Sequence, residues 1–463
     1  MRRLLLSSAL LAGALVVAAR ADALPVIPGA AGFGTDTPAG RGGTVYKVTN
    51  LNTSGTGSLK ACIDATGPRV CVFEISGTIK LTSELIIRND YLTIAGQTAP
   101  SPGIMVRGAA IKVVASNVLI QHLRVRIGDD PTGPKFENRD AMRIEGTEAK
   151  PARNVVIDHC TFSWAVDETL SVWGWHDNIT LSNNMFSEAL NDSKHPDYDG
   201  VGTIPHGYGV IIRSLPTNSV TMTGNLFAHT VERNPLSRAA ELVFVNNLIY
   251  DRGHMDIQLQ SDGVIVTKST VLKNLFIKGP SYSRETSPIY VNTGTGSLVL
   301  GQGSRVFQSG NVSENYPREL LTLTGGATIA GLLNTDTYPV WNSGLNMVQT
   351  YDNGVYNKVL ANAGARPSDR DSVDKRIVTE VKNRTGKIIN CVAADGTTRC
   401  SKNAGGWPTL AVNRRTLSLP ANPNTVTSSG YTNLEIWLHS LDQTVGGVVQ
   451  SSSPAAPAKL AVN

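Results

Sequence analysis

Two arginines, Arg233 and Arg238, carry the strongest chemical signal in this chain. They flank Asn234-Pro235-Leu236-Ser237, between the β-like runs 219–227 and 241–249. Guanidinium groups fork onto carboxylates bidentately, so two of them held between strands suit a bound anion. The same spacing also allows a structural salt-bridge pair. Upstream stand Asp140, Asp167 and Glu168, each next to a predicted strand. Carboxylates that converge without a His-Cys pattern suit a hard, oxygen-seeking cation such as Ca2+. The plainer reading is that these acids only solvate their loops. A cation and arginines on one face would together hold a polymer that bears carboxylates.

Other reactive residue types carry less. Asp158-His159 sits in a strand pattern, where neighbours point to opposite faces. The two should therefore not act as a dyad, and a structural hydrogen-bonding role is expected. Lys194, His195 and His206 fall in a long insertion, 191–209, of the kind that lines a groove. Trp164, Trp173 and Trp175 read as packing residues. The glycine-rich Gly40-Arg41-Gly42-Gly43 lacks the Lys-Ser/Thr and helix of a phosphate loop.

The elements that must position these groups show a repeat. A strand motif starts at Asn117, Asn154, Asn178, Ser219 and Glu241, with a weaker copy ending at Phe276. The steps 154 to 178 and 219 to 241 are in the low twenties, a solenoid period. Stacked coils pair in parallel and bury continuous apolar runs. Equivalent positions then sit about 4.8 Å apart per coil, so acids distant in sequence can converge. Asn184, Asn225, Asn247 and Asn274 align as an internal amide ladder, with Cys160 in the same register. An antiparallel sandwich with turn asparagines is the competing fold. Residues 24–60 are glycine-rich and are expected to cap the open end of the solenoid. Residues 336–450, including a helical pattern over 373–382, are expected to pack along it.

Composition supports one large β-rich unit. The chain has 463 residues, 41% hydrophobic, with 44 glycines and 6% aromatics, which fits many turns and few large core residues. The formal charge of +5 has no basic run behind it, so nothing points to nucleic acid. Arg2-Arg3, the apolar stretch 4–19 and Ala21-Asp22-Ala23 read as a secretory signal, removed with residues 1–23. No other stretch is apolar enough to span a membrane. The expected domain is 24–450, with a disordered tail at 451–463. Five cysteines fit export. Cys62 with Cys71 and Cys391 with Cys400 would close small loops, leaving Cys160 as a buried thiol. Asn52 and Asn311 begin glycosylation sequons.

With these residues assembled, the chain resembles the secreted pectate lyases of polysaccharide lyase family 1. The resemblance runs from Pro28 to about residue 445. It rests on the opening 28–34, the stretches 48–59 and 95–100, and Ile157-Asp158-His159. It continues through Ser163-Trp164 with Asp167-Glu168, the Arg-x-Pro-x-x-Arg element 233–238, and 429–435. It implies an all-β fold, a right-handed parallel β-helix with long loops and a C-terminal segment packed along it. It implies Arg233 as the base and Arg238 as a ligand of substrate carboxylate. It implies a Ca2+ cofactor held by Asp140 and Asp167. Where the family places a further Asp, this chain has Ser171, and Glu168 is taken as the third ligand. The family's substrate-binding lysine aligns with Asn191, and the nearby Lys194 is taken in its place. The implied reaction is β-elimination on polygalacturonate by a secreted monomer, with an alkaline optimum. Two rivals remain. A polygalacturonase-type hydrolase would need paired carboxylates, for which Asp129-Asp130 is the candidate. A non-catalytic polysaccharide-binding solenoid would need no Arg233 beside a cation cluster.

Overall fold

The computed structural model describes residues 24–447, except 197–201, 264, 284–286, 294–297, 315–320, 325–331, 334–336 and 342–351. The expected signal segment 1–23 and the tail 451–463 lie outside the described residues. Among the described residues, strands stack into one sheet of ten and two of nine. Each coil adds one strand to each sheet. Ala152–Asp158, Thr161–Ser163 and Glu168–Gly174 form one coil; His176–Ser182, Met185–Ser187 and Tyr208–Ile212 form the next. Neighbouring coils pair in parallel, with Ile157 opposite Leu181 and Leu170 opposite Val210. This is the parallel β-helix, and the parallel register rules out the sandwich.

Apolar side chains from all three sheets fill one continuous interior. Phe162, Phe186, Phe227 and Phe244 run along it with successive ring centroids 5.5, 5.0 and 6.2 Å apart. Offset aromatic contacts of this kind add roughly 0.5–1.5 kcal/mol each beyond burial.

The expected amide ladder stands at one corner. The Oδ1 of Asn225 accepts the Asn184 backbone N–H at 2.9 Å, and that of Asn247 accepts Asn225 N–H at 3.0 Å. The series continues to Asn274 and to Asn311, so the Asn311 amide belongs to the ladder. Cys160 donates its N–H to Asn184 Oδ1 at 2.9 Å, in the predicted register. The residue before each rung turns the chain with positive φ, for example 52° at Asn183, 68° at Gly224 and 57° at Asn246. Asparagine and glycine tolerate that conformation best. A second ladder, at Asn117, Asn154 and Asn178, links the strand starts through amide hydrogen bonds of 3.1 and 3.2 Å.

Only the last residues of the glycine-rich segment 24–60 reach the expected cap, where Ser58 and Leu59 begin a helix. Residues 30–37 lie on the outer face of the ten-stranded sheet, where Phe33 N donates to Thr221 Oγ1 at 3.1 Å. Thr180 Oγ1 returns a bond to Phe33 O at 2.7 Å. Gly34 is needed there, because a Cβ would meet Asn178 O at 2.3 Å. The first coil is instead closed by the helix Leu59–Asp64, which puts Leu59, Cys62 and Ile63 into the core. The disulfides Cys62–Cys71 and Cys391–Cys400 form as expected, and Cys160 is a buried free thiol.

The C-terminal segment packs along the solenoid. The helix Ser372–Asn383 sets Asp371 and Asp374 against two fully buried arginines. Arg126 Nη1 reaches Asp371 Oδ2 and its Nη2 reaches Asp374 Oδ1, both at 2.6 Å. The helix Asn433–Val445 lays Leu434 and Leu438 on Val70, Val72 and Ala95. No helix among the described residues is long and apolar enough to cross a membrane.

Candidate active site

The coil register brings the predicted residues together on the nine-stranded sheet that contains Met142–Gly146, Glu168–Gly174, Tyr208–Ile212 and Leu236–Ser237. Asp140 ends the loop before the first of these strands, and Asp167-Glu168 opens the second. Ala141 N donates to Glu168 O at 3.3 Å, which fixes the two coil entrances side by side. One carboxylate oxygen from each of Asp140, Asp167 and Glu168 lies within 4.8 Å of the others. Asp140 is 3% exposed and Glu168 4%, so they are not loop-solvating acids.

Like charges at that distance repel by roughly 3–4 kcal/mol per pair at an effective dielectric near 20. The fold answers with hydrogen bonds and cations. Asp140 Oδ1 accepts from Ser171 Oγ at 2.8 Å and from Glu168 N at 3.1 Å. Its Oδ2 meets Arg143 Nε at 3.3 Å. Burial, and then the charge of Asp167, still hold the Asp140 carboxyl well above the usual range. Ser171, where an Asp was looked for, therefore orients Asp140 through its hydroxyl. A dense set of oxygen donors with unrelieved negative charge fits a divalent cation.

The arginines enter two coils beyond Glu168, on either side of Leu236–Ser237. The stretch before Pro235 is locked by one backbone and one side-chain bond: Asn234 N donates to Asp256 O at 3.0 Å and Thr230 Oγ1 to Asn234 Oδ1 at 2.6 Å. Arg233 adopts φ 61°, and its N–H donates to Gln258 Oε1 at 3.2 Å. Gly209 leaves room for this turn, since a Cβ there would meet Arg233 O at 2.4 Å. The Arg233 guanidinium donates to Glu168 and lies 4.1 Å over the Tyr208 ring. Burial pulls its pKa down from 12.5 to about 10; Asp167 opposes that shift, and the charge of Arg238 adds to it. Arg238 is also lowered by burial. Among the described residues it makes no ion pair, and its Nε has no hydrogen-bond partner. An unpaired, partly buried guanidinium is suited to an incoming carboxylate.

The insertion 191–209 contributes more than the sequence showed. His206 Nε2 lies 2.9 Å from Asp167 Oδ1 and 3.8 Å from Glu168 Oε1. His195 stacks on His206 with ring centroids 3.9 Å apart and planes 5° apart. The sequence placed both histidines near a groove, but nothing in their spacing tied them to Asp167. Lys194 is held at the adjoining loop, where Nζ donates to Asp129 O at 3.1 Å and sits over Phe136. Asp130 of that loop is paired with Arg107 at 2.5 Å.

One expectation fails at Asp158-His159. The two were placed on opposite faces, yet His159 Nδ1 meets Asp158 Oδ2 at 2.7 Å. The strand ends at Asp158, and φ of 48° at His159 swings its ring back. The structural role holds, because Asp158 also accepts from Gln121, Ser182 and Asn183. Trp164 is fully buried, as a packing residue should be.

No family model matches the chain. It is 30% identical to a probable pectate lyase C of Neosartorya fischeri, over 94% of this chain and 98% of that one. It is equally 30% identical to a probable pectate lyase C of Aspergillus terreus, over 91% of this chain and 94% of that one. Among solved structures, the major allergen from cedar pollen overlays with a TM-score of 0.48 and 19% identity, covering 71% of this chain and 91% of that one.

Proposed function

The chain belongs to the pectate lyase family, and from that premise we propose that it cleaves (1→4)-α-D-galacturonan by cation-assisted β-elimination, with Arg233 as the base. The observation that carries this reading is a partly buried arginine, its pKa lowered to about 10, between a carboxylate cluster and a second arginine that makes no ion pair among the described residues. A free guanidinium is too weakly acidic to serve as a base near neutral pH. Burial and the neighbouring charge of Arg238 make the neutral form reachable.

Arg238 takes the C6 carboxylate of the substrate and fixes the sugar. Arg233 accepts the C5 proton. The electron pair left behind forms the C4–C5 double bond as the C4–O bond breaks, and the departing oxygen takes a proton from solvent. Asp140, Asp167 and Glu168 would hold Ca2+; when bound, that ion neutralises substrate carboxylate and makes the C5 proton more acidic. Tyr208 supports the Arg233 guanidinium from below, and Arg143 keeps Asp140 in place. Lys194 is assigned to the substrate side, from its place beside Asp129 and Phe136. The two disulfides suit a secreted enzyme.

The test is incubation of the full chain with polygalacturonate, with Ca2+ and with chelator. Ultraviolet absorbance from an unsaturated product supports a lyase. Reducing ends without absorbance would mean a hydrolase, and neither would mean a binding module. Arg233→Ala should abolish the absorbance while leaving the circular dichroism unchanged. Activity that persists in that variant would overturn Arg233 as the base.

A further inference from the structure

We propose that His206 is a further ligand of the cation site, through Nε2, making it a three-carboxylate, one-imidazole centre that takes Mn2+ and Ni2+ as well as Ca2+. This rests on the reading of Asp140, Asp167 and Glu168 as that site.

The geometry carries the assignment. Donors bound about 2.1 Å from a six-coordinate ion lie about 3 Å apart. His206 Nε2 already stands at such a spacing from Asp167 Oδ1, 2.9 Å, and 3.8 Å from Glu168 Oε1. The residue is 6% exposed. Its backbone is tied at both ends, with His206 N donating to Asn191 O at 2.7 Å and Tyr208 N to His206 O at 3.0 Å. Its ring lies between His195, at 3.9 Å, and Tyr208, at 4.1 Å. The imidazole is thus held against the carboxylates and cannot swing out to solvent.

The proton on the ring is not committed. Nδ1 of His206 has no hydrogen-bond partner among the described residues. Moving the proton from Nε2 to Nδ1 breaks no other contact within the protein, and it frees the Nε2 lone pair for a metal. His195 cannot share this role. A ring nitrogen donates in the plane of its ring, and two stacked rings with centroids 3.9 Å apart and planes 5° from parallel do not both aim at one ion. His195 instead lies 3.9 Å from Asp167 and turns its Nδ1 to Pro196 O at 2.8 Å.

An imidazole changes which ions the site prefers. Calcium seeks oxygen and gains little from a nitrogen donor. Affinity for nitrogen donors rises from Mn2+ to Ni2+. The inference therefore predicts a graded loss when the imidazole is removed.

The experiment is titration calorimetry of the chelator-stripped full chain with Ca2+, Mn2+ and Ni2+, without substrate, on wild type, His206→Gln, His195→Gln and Asp140→Asn. Pulsed electron paramagnetic resonance of the Mn2+ form reads imidazole nitrogen coupling directly. His206→Gln should lose roughly tenfold or more in Ni2+ affinity, less for Mn2+, and change Ca2+ by under about threefold. The nitrogen coupling should vanish in His206→Gln and persist in His195→Gln. An equal loss for all three ions would mean that His206 only positions Asp167, and would overturn the proposal. So would nitrogen coupling that survives in His206→Gln, or an unchanged Ni2+ affinity. Asp140→Asn separates the two readings: unchanged Ca2+ binding there would sink the cation site itself, whatever His206 does. Circular dichroism on each variant guards against misfolding.

Discussion

If Arg233 is the base, the rate must follow the small neutral fraction of its guanidine. Burial brings its pKa from 12.5 to about 10. At about 1.36 kcal/mol per tenfold step, that gap is worth roughly 3 kcal/mol of reaction barrier, or about 300-fold in neutral base at any pH well below 10. At pH 8 about 1% of the guanidine is then neutral, against about 0.003% for an ordinary arginine. The logarithm of kcat/KM on polygalacturonate should rise with a slope near one from about pH 7 to pH 9. It should bend at or below about 10, measured as initial ultraviolet absorbance in buffers of constant ionic strength.

The neighbours fix the sign of a second shift. The charge of Arg238 lowers the Arg233 pKa, whereas Asp167 and Asp140 raise it. Arg238→Gln should therefore move the bend to higher pH, on top of any loss in substrate binding. Neutralising the two aspartates with a saturating cation should move it lower. A profile that is flat above pH 7 would refute the reasoning. So would a bend near pH 6.5, which would give the proton transfer to an imidazole instead.

Three further outcomes are expected. Asn225→Ala strips a partner from the buried Asn184 N–H and from Leu181 O; at roughly 1–3 kcal/mol each, unfolding in urea should show about 2–6 kcal/mol of destabilisation, and a loss under about 1 kcal/mol would contradict the ladder. Burial alone would lower the pKa of His229, but hydrogen bonds to Asp251 and Glu380 outweigh it and raise it to about 9. Its contribution is then full below the unfolded value near 6.5 and is lost as pH rises through 9, by at most roughly 3 kcal/mol. His229→Gln should flatten stability against pH across that window in thermal melts. A cation at about 100 times its Kd adds roughly 2.7 kcal/mol of stability; chelation should lower the melting temperature of wild type and leave Asp140→Asn unmoved.

Much of this was legible in the sequence because a solenoid turns sequence period into spatial register. Once the steps 154 to 178 and 219 to 241 are seen, the asparagine ladder and the meeting of Asp140 with Asp167 follow from strand spacing. Two things were not legible. The register says nothing about residues inside an insertion, so His206 could not be tied to Asp167 from residues 191–209 alone. Strand alternation also fails where the chain takes a left-handed turn, which is why His159 folds back onto Asp158. The same corner conformation recurs at Asn183 and Asn246, where asparagine announces it. At His159 the residue type gives no such sign, and only its place one residue before the Cys160 rung marks it.

In the proposed mechanism, the charge balance at the site ties the base to the cation. Asp140 and Glu168 are paired with Arg143 and Arg233, and His206 Nε2 lies beside Asp167. Arg233 therefore serves at rest as a structural cation, donating to Glu168, and a protonated guanidinium cannot accept the C5 proton. Any divalent ion held by those acids brings two further positive charges beside these arginines. Repulsion then favours loss of a proton from the cations that remain. Arg143 is a poor source, since Asp140 and Glu145 hold its pKa above the usual value against the cost of burial. Arg233 is the better one, because burial has already lowered its pKa and Arg238 lowers it further. The aspartates that raise it are the same groups the ion would neutralise. The electrostatics thus let one event fill the cation site and ready the base, and two arginines five positions apart can do different work.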